Sequence, residues 1–426
     1  MRRAVITTVL LGLLGAVGVM AAARPLPRVP QEPTVAVDAA QTGAAPAGAT
    51  AQQAVVPPRP RAPVRLEVVA AGWELLAPGV AMHGGAGGAA AVPGSQFEAA
   101  GVRVGFAVAG DAAAIEARLC RGGELGDGAE VAIMPLPALL ASYERLQALS
   151  PQVFAVVGFS RGADVLTGSP AWLRDPPRRG RVALAGERGS AHAMLGLFAL
   201  AQAGVDPARI DLVTEGGALQ ARARGRSGSI DARAVMLSTA DAVHLVPIVA
   251  VAPKGVIAAK RDALAAWLRV WFAGARLLEQ DPTAIARRVA ALPGAPEAVE
   301  LLDALGGLEF VDLREAAAAA GFSGRRAARL DVLVDEGWSL LRGAGQIAAP
   351  PPELPPLSAV VLAQLALDGR VEPPARRVWP PARASASPLL VHTLVLGDRA
   401  REDCGRAAGP ARRRVRALAH RDHGAG

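Results

Sequence analysis

Residues 178–216 read RRGRVALAGERGSAHAMLGLFALAQAGVDPARIDLVTEG, and no other stretch limits the fold as tightly. A short apolar run at 182–184 leads into a Gly-flanked turn at 186–189. An apolar helix is predicted over 190–202, then the breaker Gly204-Val205-Asp206-Pro207, then a second strand over 210–214. That is a strand–helix–strand unit with Ser190 opening its helix. The first N–H groups of such a helix lack intrahelical partners, and the macrodipole draws anions to that end. The pattern predicts an α/β fold with one ligand cradle.

The 426 residues suffice for two domains with real cores. Two Lys stand against 44 Arg, and Ala, Gly and Pro abound, a pattern of GC-biased coding. Residues 371–426 carry 11 Arg and 5 acidic residues, a surplus of 6 out of the net +8. The rest of the chain is nearly neutral, so its charge does not describe a nucleic-acid-binding surface.

Met1-Arg2-Arg3, an uncharged stretch over 4–23 and the small residues Ala21 and Ala23 predict a secretory signal peptide at 1–23, or an uncleaved anchor. Either exports the body to the periplasm or another extracytoplasmic space. Only Cys120 and Cys404 are present. The expectation is a buried free thiol at Cys120, without a disulfide or a metal site.

Residues 24–63 form a Pro/Ala-rich spacer, expected to be disordered. Strands are expected over 64–71, 102–108, 131–134 (closed by Pro135), 153–157 and 246–252, with a helix over 112–119 and an amphipathic stretch over 136–149. Further helices are expected over 261–280, 284–291, 297–305 and 326–341. From Pro350 the composition turns Pro- and Arg-rich, and 350–426 reads as a disordered tail.

Residues 94–140 read as a helix end, a strand, an Asp-capped helix, a Gly-rich turn and a strand ending at Pro135, and residues 160–213 add a second unit. Three details add to them: the Gly turn before Ser190, the Ala203-Gly204-Val205-Asp206-Pro207 break, and a late helix with Trp267, Phe272, Ala275, Leu278 and Asp281-Pro282. In order and spacing, residues 64–341 resemble the periplasmic substrate-binding proteins of ABC transporters, of the nitrate/sulfonate/taurine type. The resemblance implies a two-lobe α/β fold with mixed sheets and a ligand cleft between the lobes. Lobe I would span 64–160 and lobe II 161–246. Residues 247–349 would supply a return strand and helices packing on lobe I. It further implies a monomer without cofactor or catalysis, carrying a small anionic or zwitterionic ligand to a membrane permease. The ligand positions carried over are Pro135, Leu136, Ser160, Arg161, Gly189, Ser190, Ala191, His192, Thr214 and Glu215, the last pair running on to Gly216.

Plainer readings stand beside these. Ser190 can serve only as an N-cap, Arg161 can be a surface residue beside Asp164, and Glu215 a solvated loop carboxylate. His192 can be a half-buried helix residue and His244 a strand-end or core residue, while the Trp267/Trp271 stripe reads as core. A different class is raised by Gly158-Phe159-Ser160-Arg161-Gly162, a G-x-S-x-G directly after a strand. Asp231 or Asp241 with His244 would complete a serine hydrolase. Against it, Gly168 and Pro170 interrupt the helix an elbow needs, and the nearest oxyanion-type segment, His83-Gly84-Gly85, lies far upstream. An exported ligand sensor shares the two-lobe fold. So do iron-dependent pyrimidine-synthesising relatives, which the export signal and the lack of a His/Cys cluster disfavour.

Overall fold

The computed structural model describes residues 62–83, 93–124, 126–224, 234–322 and 329–367. Val64–Ala70 (β1), Trp73–Met82 (α1), Gln96–Ala99 (α2), Val102–Val108 (β2), Ala112–Arg121 (α3), Val131–Pro135 (β3), Leu136–Leu146 (α4) and Pro151–Ser160 (β4) open the fold. Asp164–Gly168 (β5), Ala171–Arg174 (α5), Val182–Ala185 (β6), Ala191–Gln202 (α6), Ile210–Val213 (β7), Leu219–Ala223 (β8) and Val235–Ser238 (β9) build a second body. The chain then returns through Pro247–Pro253 (β10), Lys254–Ala259 (α7), Arg261–Gln280 (α8), Pro282–Ala290 (α9) and Ala298–Gly306 (α10). Leu308–Phe310 (β11), Leu313–Ala319 (α11), Leu330–Gly343 (α12) and Val360–Leu367 (α13) follow.

Two sheets result. The first has the order β11-β4-β10-β3-β1-β2, with β1 parallel to both β2 and β3 and β10 antiparallel to both β3 and β4. Its inner strands β3 and β10 are apolar throughout because helices cover both faces. The second sheet, β7-β6-β8-β5-β9, is parallel from β7 to β8 and antiparallel at β5 and β9. The first sheet with its helices is lobe I, and the second is lobe II. The chain passes between them twice, from Ser160 to Asp164 and from Ser238 to Pro247.

Lobe I is held by α8, whose apolar stripe buries Trp267 and Trp271 completely, the core role their spacing predicts. Their rings lie 5.1 Å apart, and Trp267 meets Phe154 edge-on at 6.0 Å. Close approach of α8 to α1 depends on Gly274, where a Cβ would fall 2.0 Å from the Pro78 carbonyl oxygen.

Several expectations change with the fold. Cys120 is exposed, not buried. The inward stripe of α3 is Ile115, Glu116 and Leu119, and one more residue turns the side chain about 100° away. Residues 164–168 form a strand, so no helix begins after Ser160. The expected tail also starts too early. Val153 donates its N–H to the Pro356 carbonyl at 2.8 Å and accepts from Ser358 N–H at 2.8 Å, and α13 buries Val361, Leu362 and Leu365. Apolar side chains among the prolines seat that segment on β4. The expected leader and anchor at 1–23, nearly all of the spacer, Cys404 and residues 368–426 lie outside the described residues. Among the described residues, no helix is long and apolar enough to cross a membrane.

A helix-interior Gly normally costs about 1 kcal/mol relative to Ala, so Gly274→Ala judged on propensity alone would stabilise α8. The contact with Pro78 reverses that sign. We expect Gly274→Ala to destabilise the protein by about 1–3 kcal/mol in chemical denaturation; a stabilised variant would show that the two helices are not so closely seated.

Candidate functional site

Strand direction decides where the two lobes can hold something. β1, β2, β3 and β4 all end at one edge of the first sheet, because β4 and β3 flank the antiparallel β10 at its amino end. In lobe II, β6, β7 and β8 end at the side where Asp164 starts β5, since Asp164 pairs with Ala223. Both carboxyl edges therefore lie at the crossing segments. In open α/β sheets ligands bind outside the carboxyl ends of strands.

A buried polar chain occupies the crossing itself. Ser160 ends β4 with 2% of its surface exposed and donates its hydroxyl hydrogen to Asp164 Oδ2 at 2.6 Å. Thr239, fully buried where the second crossing starts, supplies the other bond to Ser160 at 2.8 Å and accepts the Gly162 N–H at 2.7 Å. Thr239 N–H in turn donates to the Asp164 carbonyl at 3.0 Å. His192 Nδ1 lies 3.6 Å from Asp164 Oδ1, on the first turn of α6. Ser160 supplies this buried carboxylate with a donor, and the His192 ring stands beside its other oxygen.

A second cluster lies beside it. Arg161 pairs with Glu309 of β11 at 3.1 Å, not with neighbouring Asp164, while the Gly307 carbonyl accepts from Arg161 N–H at 2.7 Å and Ala163 N–H at 3.1 Å. His244 packs on Phe159 with ring centres 4.5 Å apart. Its φ of 66° is unusual for a residue with a side chain. Burial holds the His244 pKa below its ordinary value; the Glu309 carboxylate pulls the other way, and Arg161 reinforces the lowering.

The remaining expected contacts sort by neighbourhood. Pro135 ends β3 and caps α4, and Leu136 behind it is buried. Gly189, at φ 70°, sits so close to α4 that a Cβ would meet Ala141 Cβ at 2.6 Å. Ser190 caps α6: its Oγ accepts the Ala193 N–H at 3.1 Å and donates to the Glu187 carbonyl at 2.7 Å. Ala191 beside it is buried. A narrow apolar pocket runs between α4 and α6, lined by Leu136, Leu140, Met194, Phe198 and Leu245. Thr214, Glu215 and Gly216 are exposed beyond β7, which β6 and β8 separate from β5, roughly 14 Å at ordinary strand spacing. The fold thus brings Ser160, His192, Leu136 and Gly189 to the seam and leaves Thr214 and Glu215 at its rim.

Asp164, Thr239 and Glu309 were missed by sequence reasoning. Only the Ser238-Thr239-Ala240-Asp241 turn carried a local signal, with Asp241 Oδ2 accepting from Ser238 N–H and Oγ at 2.8 Å each. That role, and the strand at 164–168, separate Ser160 from a nucleophile elbow. The Ser160 hydrogen goes to a carboxylate, whereas a triad serine gives it to an imidazole. His83 is buried in lobe I against Phe97 and Phe106, with Nε2 3.0 Å from the Val104 carbonyl. Asp231, Gly84 and Gly85 lie outside the described residues. Among the described residues, no three His, Cys, Asp or Glu side chains converge as metal ligands.

Two α/β lobes crossed twice, with mixed sheets and facing carboxyl edges, define a bilobed architecture like that of periplasmic binding proteins. The fold is similar to that of a periplasmic sulfonate-binding protein from Methylobacillus flagellatus (TM-score 0.49, 13% identity, 75% of this chain and 99% of that one). It is also similar to the periplasmic aliphatic sulphonate binding protein of Escherichia coli (0.46, 12%, 76% and 99%). The periplasmic nitrate-binding protein of Synechocystis PCC 6803 gives 0.43, 12%, 69% and 92%. No protein family and no curated protein matches the sequence significantly. Sheet order and the double crossing define this fold.

Two outcomes follow. Ser160→Ala removes a donor from a buried carboxylate and should cost about 1.5–3 kcal/mol in denaturant unfolding, without loss of any esterase turnover. For His244, a folded pKa below 6.5 means the unfolded chain binds the proton first. Its contribution is complete above pH 6.5 and is lost as pH falls towards the folded pKa. His244→Asn, which tolerates positive φ, should flatten the fall in melting temperature between about pH 7 and pH 5.

Proposed function

We propose that this chain is an exported solute-binding protein that takes a small anionic or zwitterionic ligand between its lobes and presents it to an ABC permease. One observation carries the reading: the carboxyl edges of both sheets meet at the crossing strands, where a ligand could bond both lobes at once. Pro135, Leu136, Ser160 and Arg161 would face it from lobe I and the first crossing. Gly189, Ser190, Ala191 and His192 would meet it from lobe II, with Thr214 and Glu215 at the rim. The start of α6 offers main-chain N–H groups and the positive end of the helix dipole. Hinge closure about the crossings would signal occupancy to the permease, and no catalytic step is assigned. The proposed leader would place the protein in the periplasm, where it would act as a monomer without cofactor.

The reading is tested by thermal unfolding of the purified protein with sulfonates, nitrate, bicarbonate, phosphonates and zwitterionic amino acids. A ligand at 100 times its Kd stabilises the native state by about 2.7 kcal/mol, so one class should raise the melting temperature in proportion to its concentration. Ser190→Ala should weaken that response as well as losing about 1 kcal/mol of capping. An unchanged melting temperature with every class would overturn the proposal.

A further inference from the structure

Helix α12 touches both lobes, and its surroundings say to which it belongs. Before it, α11 packs on β4 of lobe I; after it, Val153 of β4 bonds Pro356 and Ser358. Trp338 lies edge-on to Tyr143 of α4 at 5.4 Å and donates its indole N–H to the Ala349 carbonyl at 3.2 Å. The segments on both sides of α12 are therefore rooted on lobe I, and the helix itself packs on α4 there.

The same helix also packs on α6 and on the turn at Pro207–Arg209 of lobe II. Gly337 sits in the seam, where a Cβ would lie 2.9 Å from Leu140 Cδ1 of lobe I and 3.6 Å from Met194 Cε of lobe II. At Gly343 a Cβ would come within 2.8 Å of Pro207 Cβ. Just past the helix, the Arg188 guanidinium donates to the Gln346 carbonyl. Leu333 closes the apolar pocket between α4 and α6. The contacts to lobe II are thus two glycine-dependent approaches, a strip of apolar packing and one charge-assisted bond.

We propose that α12 is a clasp: it holds lobe II against lobe I, and the lobes part only when α12 lets go of Met194, Pro207 and Arg188. The crossing strands would permit rotation, and the clasp would restrain it. This holds for the free protein whether or not a ligand is ever found.

The test measures the distance between lobes in the full-length protein by double electron–electron resonance. One label sits on Cys120, exposed on α3 of lobe I, and the other on lobe II through Arg174→Cys, in a Cys404→Ser background. With the clasp intact we expect one narrow distance. Combining Arg188→Ala with Gly343→Leu, which disturbs only the lobe II side, should broaden it or add a second population. Two populations with the clasp intact, or a distribution unchanged in the double variant, would overturn the proposal. Should the double variant fail to fold by circular dichroism, the intact protein still decides: one narrow distance supports the clasp and two refute it.

Discussion

The crossing between the lobes is organised around a carboxylate, Asp164, kept out of water. A charge in that position is costly unless a donor reaches it; Ser160, before the first crossing, supplies one, and Thr239 at the second crossing bonds Ser160 in turn. Those partners are the ends of different strands, so satisfying the charge aligns the two crossing segments. Thr239 also takes the Gly162 N–H, closing the chain of bonds onto the first crossing's own backbone. The network joins the lobes at a point and leaves their outer parts to be fixed by other contacts.

Those other contacts differ in kind on the two sides of the crossing. On one side, Arg161 and Glu309 with the Gly307 carbonyl bring β11 against the first crossing, and His244 packs on Phe159. On the other, α4, α6 and α12 meet through small residues and apolar side chains. Polar contacts are directional and lose strength sharply with displacement, whereas apolar packing tolerates sliding. The polar side is suited to act as the pivot and the apolar side as the surface that separates.

Some of this was readable from residues alone. The strands over 131–135 and 247–253 announce themselves as unbroken apolar runs, as a sheet covered on both faces needs, and those over 64–70 and 102–108 as largely apolar runs that begin by alternating with charged residues. Ser190 and the breaker at Gly204 bounded α6 to within a residue. The lobe II strands β5, β8 and β9 escaped notice because each is only four or five residues long and, unlike β6 and β7, none adjoins a long helix that would mark it as part of a strand–helix–strand unit. At the seam, Ser160 and Arg161 were singled out but their partners were not. Thr239 is 79 residues from Ser160, and Glu309 is 148 from Arg161. Pairings at that range follow from sheet order, which no local pattern encodes.

The position of β10 has a consequence for how the molecule is made. This strand lies in the middle of the first sheet, between β3 and β4, yet it follows the whole of lobe II in the chain. Until residue 253 is available, β3 and β4 each present an apolar, unpaired edge separated by the gap β10 will fill. Lobe II, with a complete sheet of its own, can form during that interval; lobe I cannot. A topology of this kind must close long loops before its first sheet is complete and is slow for that reason. The apolar edges waiting on either side of the gap are where a nascent chain would meet its neighbours before it meets itself.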